Sequence, residues 1–177
     1  IGRGTRLSLD LFGPGQHKTE FFIFDFCQNF EFFNQNPDVK DGAAGRSLSE
    51  RLFTTRVEIA SALQDLPQGE RGDGLTKLDA ETRSRLRDEV AGMSLENFLV
   101  RAKRRAVEEF QRPEAWDVFS ADDRETLINE IAGLPTGLVD DDVVAKQFDL
   151  IVLNGQLALL RGDAAFARCK EKVMAIA

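Results

Sequence analysis

Two arginines near the start of the chain have the spacing of a phosphate-contacting pair. In "IGRGTRL", Arg3 and Arg6 are three positions apart, which places both side chains on one face at the start of a helix. Gly2 and Gly4 allow the backbone to approach a ligand closely. A guanidinium group matches phosphate oxygens, and an arginine that reaches the γ-phosphate across a cleft couples nucleotide hydrolysis to domain closure. The alternative for this spacing is two surface arginines beside a glycine turn.

The next glycine-rich segment, "FGPGQHKT", contains several residues of a phosphate-binding loop but not their arrangement. Gly13, Gly15, Lys18 and Thr19 are present, yet His17 stands where such a loop requires a glycine before the lysine. The strand that precedes the glycines in a phosphate-binding loop follows them here. The pattern therefore predicts a turn that leads into a strand.

Other side chains with catalytic or metal-binding chemistry lack partners at a suitable spacing. His17 is the only histidine, and because no orienting group can be named for it, we predict a loop residue rather than a catalytic base. Cys27 and Cys169 are far apart in the sequence, which predicts two buried free thiols. The acidic run 140–142 places negative charge where it favours a helix N-terminus. No metal site is predicted.

One predicted helix, 95–112, carries arginines on the side opposite its apolar face. They are Arg101, Arg104, Arg105 and Arg112. This side has the chemistry to contact DNA phosphates or an acidic partner, but Glu108 interrupts it, which favours a solvated face with pairs four residues apart. Trp116 and Phe119 are predicted to fill the core under a loop rather than to stack on bases.

The phenylalanines are concentrated in one segment, and that segment predicts a strand covered on both faces. Eight of the 14 phenylalanines fall between Phe12 and Phe33, and "EFFIFDFCQNFEFF" is apolar at nearly every position. A strand that is apolar on both faces is typical of a parallel α/β sheet packed between two layers. The short segment before this strand cannot supply those layers. We therefore expect its sheet neighbours to lie outside this chain.

The rest of the chain predicts five or six helices and no further strand. Ser47 and Glu50 form a capping signal, and leucines at helical spacing follow until Pro67. Further helices are predicted from about residue 79, over 95–112, after residue 120, over 142–161 and from 163 to the end. The helix 142–161 is apolar nearly all round between Leu150 and Leu153, so we predict that it is the central and most buried one.

Composition limits the classes of protein to which the chain can belong. There are 23 basic and 30 acidic residues, which gives a net charge of −7 and disfavours a broad DNA-binding footprint. No uninterrupted apolar run approaches the roughly 20 residues that span a bilayer. The longest candidate, "FDLIVLNGQLALL", is broken by Asn154 and Gln156, so no contact with a membrane is predicted.

The whole opening segment, "IGRGTRLSLDLFGPGQHKTEFFIFDFCQNFEFF", resembles the sixth motif and terminal strand of the second RecA-like domain of superfamily 2 helicase-type motors. More narrowly, it is similar to the motor (R) subunit of type I restriction–modification enzymes. The later phrases "GRSLSERLF" and "DVVAKQFDLIVLNGQLALLRGDAAF" resemble the helical region that follows the motor in that family. The resemblance covers essentially the whole chain. The glutamine that normally begins the family's motif, the Walker loop, the DExH-type motif and the nuclease carboxylates are not in this sequence.

The resemblance implies a function for the whole subunit. It would hydrolyse ATP with Mg²⁺ to translocate double-stranded DNA and would cleave that DNA at a distance, as an ATP-dependent type I site-specific deoxyribonuclease in the cytoplasm of a bacterium or archaeon. Its partners would be the methyltransferase and specificity subunits. Arg3 and Arg6 would stabilise charge on ATP, with Gly2 beside the nucleotide. The isolated chain is predicted to be inactive and to hold neither ATP nor Mg²⁺.

The sequence as a whole predicts a mainly α fold. A helical bundle-like domain, 47–177, is preceded by the truncated tail of a RecA-like α/β domain, 1–33, with a linker at 34–46. The helical part would brace the motor or dock it on the methyltransferase core. Two alternatives remain: a helical protein-interaction module whose likeness to a motor is accidental, and a fragment of a stand-alone superfamily 2 helicase.

Overall fold

A computed structural model describes residues 8–20, 22, 46–137 and 142–176 of the chain. The chain divides into two compact units, Ile1–Asn34 and Gln35–Ala177. The regular secondary structure among the described residues of the second unit consists of helices. The prediction of a mainly α fold is therefore confirmed, whereas the predicted strand of a RecA-like domain lies outside the described residues. The predicted boundaries 1–33, 34–46 and 47–177 remain predictions.

The described part of the first unit is a closed turn. Ser8 and Lys18 form an isolated antiparallel bridge, with the amide of Lys18 donating to the carbonyl of Ser8 at 3.0 Å. Between them, Gly13 and Gly15 adopt φ angles of 133° and 77°, which side chains disfavour. The prediction that these glycines lie in a turn is confirmed, whereas the strand into which the turn was predicted to lead lies outside the described residues.

The second unit contains seven α-helices, two 3₁₀ turns and one π-helical turn among its described residues. The α-helices are α1, Leu48–Asp65; α2, Asp73–Ala91; α3, Phe98–Ala102; α4, Arg104–Phe110; α5, Ala121–Thr126; α6, Val143–Arg161; and α7, Ala165–Ile176. The 3₁₀ turns are Gln68–Glu70 and Pro113–Trp116, and the π-helical turn Leu127–Ile131 continues α5.

Helix α1 lies at the centre of this unit because two of its faces are apolar. One face, which includes Phe53, Val57 and Ala60, packs into the largest core cluster with α2, α4 and the Trp116 region. The opposite face, which includes Ile59 and Leu63, packs against α6 and α2. Burying each large apolar side chain of this kind contributes about 1.5–3 kcal/mol. The helix therefore joins two apolar layers of the unit.

The prediction that the helix 142–161 is the central, most buried one is wrong. Helix α6 uses Leu150 and Leu157 against α1, but Val144 and Leu159 on its other side are 69% and 61% exposed. Buried Lys146 donates from Nζ to Ser49 Oγ at 3.1 Å and so ties α6 to the start of α1. Helix α7 then packs on α6 beside Gly155.

Three local signals decide where the helices begin and end. The Ser47 hydroxyl accepts a hydrogen bond from the Glu50 amide at 3.1 Å and caps α1. Ser120 and Asp123 form a reciprocal capping box at the start of α5. Gly162 ends α6 with a φ of 64°, in the left-handed conformation usual for a C-terminal cap. The predicted bounds of α6 and α7 are thereby confirmed to within one or two residues.

Candidate functional site

The predicted nucleotide-contacting residues Gly2, Arg3 and Arg6 lie outside the described residues. Their roles therefore remain predictions from the sequence.

His17 has a neighbouring carboxylate that the sequence did not indicate. Its Nδ1 accepts a hydrogen bond from the Asp10 amide at 3.1 Å and lies 3.4 Å from Asp10 Oδ1. That carboxylate oxygen also accepts from the Gly15 amide at 2.7 Å. Since Nδ1 is already an acceptor and both side chains are about half exposed, the pair organises the turn. The prediction of a loop histidine is confirmed.

The described residues contain no arrangement that would hold a metal ion. No group of three or more His, Cys, Asp or Glu side chains converges within them. Asp142 accepts a hydrogen bond from the Val144 amide at 3.2 Å, which confirms its predicted role at the start of a helix. Cys169 is a free thiol, as predicted, but it is partly exposed rather than buried. Cys27 lies outside the described residues.

The four predicted arginines lie on the surface of α3, α4 and the residues that follow. The helix predicted over 95–112 is interrupted at Lys103, where φ is −118° and ψ is 22°, so that α3 and α4 are separate. Arg101, Arg105 and Arg112 are exposed, and their guanidinium groups make no hydrogen bond or ion pair with other described residues. Phe98, at the start of α3, is 85% exposed. This surface, Phe98 to Arg112, combines free guanidinium groups with one exposed ring.

Acidic side chains reduce the positive charge of this surface. Arg104 Nε donates to Glu108 Oε1 at 2.7 Å, and this hydrogen bond, together with the charge of Glu108, raises the pKa of Arg104 above its ordinary value. Lys103 pairs with Glu130 at 3.4 Å. The prediction of a solvated face with pairs four residues apart is confirmed. Contact with DNA or with an acidic partner remains a prediction.

Trp116 and Phe119 are part of the core, as predicted. They are 4% and 6% exposed, and their rings make an edge-to-face contact with centroids 5.8 Å apart. The indole Nε1 donates to the Phe110 carbonyl at 2.8 Å. Neither ring is accessible to a nucleic-acid base.

A buried carboxylate joins α1 to α2 beside a polar cavity of about 250 Å³. Glu89 is 8% exposed and accepts hydrogen bonds from Arg56 Nη1 at 2.9 Å and Arg85 Nε at 3.0 Å. Both arginines line the cavity, but their guanidinium groups are already hydrogen-bonded to the Glu89 carboxylate. The cluster therefore stabilises helix packing.

A second feature that the sequence did not predict is an apolar groove of about 260 Å³ between α6 and α7. Its lining includes Val152 and Leu159 of α6 and Phe166, Lys170 and Met174 of α7. The signal in the sequence was the apolar residues on both sides of α6, which we interpreted as burial. One of those sides packs on α1, whereas the other is only partly covered by α7 and leaves Leu159 61% exposed.

Helix α6 also has the length and composition of a membrane-spanning helix, with a mean hydropathy of 1.3, and it is the only such helix among the described residues. Core helices of folded domains share these properties. Its buried lysine and its packing on α1 place one side of the helix in the core of the unit, although only 28% of the apolar window is buried.

Comparison of the chain with protein-family models, with curated proteins and with solved structures gave no match.

Proposed function

We propose that this chain is part of the motor subunit of a type I restriction enzyme, which couples ATP hydrolysis to translocation and cleavage of double-stranded DNA. The observation that carries the proposal is the opening segment, in which Arg3 and Arg6 precede a glycine turn and a phenylalanine-rich stretch. The turn between Ser8 and Lys18, and the helices that follow from α1 onward, are compatible with that order of elements.

In this proposal, the two arginines act on ATP in the whole subunit. Each guanidinium group would neutralise charge on the phosphates, and Mg²⁺, held by residues elsewhere in the subunit, would supply further positive charge there. The helical unit has no catalytic role here. It would serve as a rigid body that braces the motor or docks it on the methyltransferase and specificity subunits.

A pull-down with a methyltransferase–specificity complex tests the proposal on the chain itself. We expect the immobilised chain to retain the complex at low salt and to release it as salt rises, because the exposed arginines of α3 and α4 are screened. A variant in which Arg101, Arg105 and Arg112 are all replaced by Ser is compared with the natural chain, to test whether these arginines carry the binding. Absence of binding at low salt would count against the docking role.

The second candidate function is a helical protein-interaction module without motor activity. The groove between α6 and α7 favours it, since an apolar surface of this kind commonly receives a partner. The residues upstream of Ile1 in the same polypeptide discriminate between the two. A glutamine shortly before and a Walker loop further upstream support the motor. Strand displacement by the whole protein would instead favour a stand-alone helicase, since a translocase does not need to unwind its track.

A further inference from the structure

Helix α7 is attached to the rest of its unit through one side only. No residue of α7 is buried among the described ones, although the helix has apolar residues along its length. It packs on α6 where Gly155 permits close approach, since a Cβ at that position would lie 3.3 Å from Cys169 Cβ. The apolar side chains on the flanks of this contact remain open, with Met174 68% exposed and Leu159 61% exposed.

One flank of α7 borders a trough that extends along α6 toward α2. The apolar groove and the polar cavity described above share two lining residues, Val152 and Gln156 of α6, so the two spaces adjoin. Helix α7 forms one bank of this trough, α6 forms its floor, and α2 with Leu78 and Arg85 forms the other bank. A floor of one helix between two flanking helices is the shape that receives a further helix.

The floor of the trough contains an unsatisfied polar atom. Gln156 Oε1 is buried and has no hydrogen-bond partner in the part of the chain that the structure describes, whereas most buried polar atoms have one. A donor side chain on a bound helix would supply that partner after rotation of the carboxamide. The floor is otherwise apolar at Val152 and Leu159.

The charge on α7 selects which helix fits. Arg168, Lys170 and Lys172 are exposed and make no ion pair with other described residues, and Glu171 is the one acidic residue among them. Lys170 lies in the lining of the apolar groove itself. The cavity on the other side of the trough is different, because Glu81 of α2 and Asp149 of α6 line it, and the guanidinium groups of Arg56 and Arg85 there are hydrogen-bonded to Glu89. An occupant is therefore attracted when its acidic side chains face α7.

We propose that the trough between α7 and α2 is a docking site for an amphipathic helix of another protein. The apolar stripe of that helix lies on Val152 and Leu159, and acidic side chains along one edge pair with Lys170. Binding of this helix requires no nucleotide, so the docking proposal does not depend on the proposal that the chain is part of a motor subunit.

Two other occupants fit the surface less well. A second copy of this chain that placed its own α7 in the trough would bring only one acidic side chain, Glu171, to pair with Lys170. An anionic membrane would meet a recessed groove rather than a convex apolar face, and the net charge of −7 opposes approach to such a surface.

Two synthetic helical peptides test the proposal on the full 177-residue chain. Both have about 18 residues, or roughly 27 Å of helix, and the same leucine stripe. One carries glutamates along one edge and the other carries lysines there. We expect titration calorimetry to detect the glutamate peptide only, with affinity that falls as salt rises.

Variants of exposed residues locate the site without disturbing the fold. Leu159→Glu should lower the affinity for the glutamate peptide by about tenfold or more, because it places a charge under the apolar stripe of the peptide. Lys170→Glu should lower the affinity for the glutamate peptide by about fivefold and should make binding of the lysine peptide detectable. Val118→Glu is the matched control, since Val118 is 67% exposed and lies outside the trough, and it should leave both affinities unchanged. Circular dichroism verifies that all three variants are folded.

Four outcomes would overturn the proposal: binding of neither peptide, equal binding of both, loss of binding in Val118→Glu, or no change in Leu159→Glu. If analytical sedimentation showed a dimer of the chain, and Leu159→Glu dissociated that dimer, the surface would be an interface between two copies instead. Binding to vesicles of phosphatidylserine that is lost in the same variant would assign it to a membrane.

Discussion

The most informative single substitution in the helical unit is Arg83→Met. Arg83 lies on α2 with only 13% of its side chain exposed. Its Nε donates to Asp79 Oδ1 at 2.7 Å, and its Nη1 donates to the Trp116 carbonyl at 2.8 Å. Its guanidinium carbon lies 4.5 Å from the centroid of the Phe119 ring. One side chain therefore connects α2 to the irregular segment that closes the core.

The expected loss follows from those contacts. Removing one partner of a fully buried ion pair costs about 3–5 kcal/mol, and this pair costs less because its two side chains are 13% and 23% exposed. Each buried carbonyl that loses its donor costs about 1–3 kcal/mol. A cation above an aromatic ring contributes about 0.5–2 kcal/mol. These contributions overlap, and the methionine retains the apolar stem, so we expect the free energy of unfolding to fall by about 3 kcal/mol.

The single tryptophan provides the assay. Trp116 is the only tryptophan in the chain and is buried, so its fluorescence reports unfolding of the core during urea titration. Arg87→Met is the matched control on α2, since Arg87 is half exposed and lies 3.9 Å from Asp88; it should change stability by less than about 0.5 kcal/mol. A loss below about 1 kcal/mol for Arg83→Met would refute the reasoning that this arginine organises the core.

Two further substitutions test backbone features of the same unit by the same urea titration. Gly137→Ala should destabilise the unit by more than about 2 kcal/mol, because a Cβ at Gly137 would lie 2.6 Å from the carbonyl oxygen of Gly92; Gly133→Ala, which meets only a side chain at 3.6 Å, is the control and should be nearly neutral. Ser120→Ala removes the hydroxyl that accepts from the Asp123 amide at 3.1 Å and should cost about 1 kcal/mol, whereas an unchanged midpoint would mean that the cap does not stabilise α5.

Helix boundaries were predictable where a side chain or a glycine marks them. Ser120, Asp142 and Gly162 are such markers, and the helices beside them begin or end as predicted. The start of α2 was predicted about six residues late, because its N-cap is Gly72 and makes no side-chain hydrogen bond. The break at Lys103 between α3 and α4 has no proline or glycine to mark it.

Burial was less predictable than helicity, because polar residues in a helix can satisfy their own hydrogen bonds. In α1, Thr55 Oγ1 donates to the Arg51 carbonyl and Ser61 Oγ donates to the Val57 carbonyl, both at 2.8 Å. These hydroxyls need no water, so α1 is the central helix although it contains more polar residues than α6. An apolar residue in α6, by contrast, does not reveal whether a neighbour covers it.

The candidate sites were predictable only in part, since they depend on contacts between distant segments. The arginines of α3 and α4 follow from helical spacing. The trough between α7 and α2 depends on residues more than 70 positions apart, such as Leu78 and Val152, and no local pattern indicates it. The pairing of Asp10 with His17 depends on the path of a turn that contains two glycines with positive φ.

The proposal that Arg3 and Arg6 act on ATP is tested by DNA-stimulated ATP turnover, measured on the proposed motor subunit together with the methyltransferase and specificity subunits that we propose as its partners. Replacing Arg3 or Arg6 with Ala should lower the turnover number by about 10³-fold or more, with Arg87→Ala as a surface control that leaves it unchanged. Turnover by either alanine variant that stays within about twofold of the natural protein would contradict the assignment of these two guanidinium groups to the nucleotide.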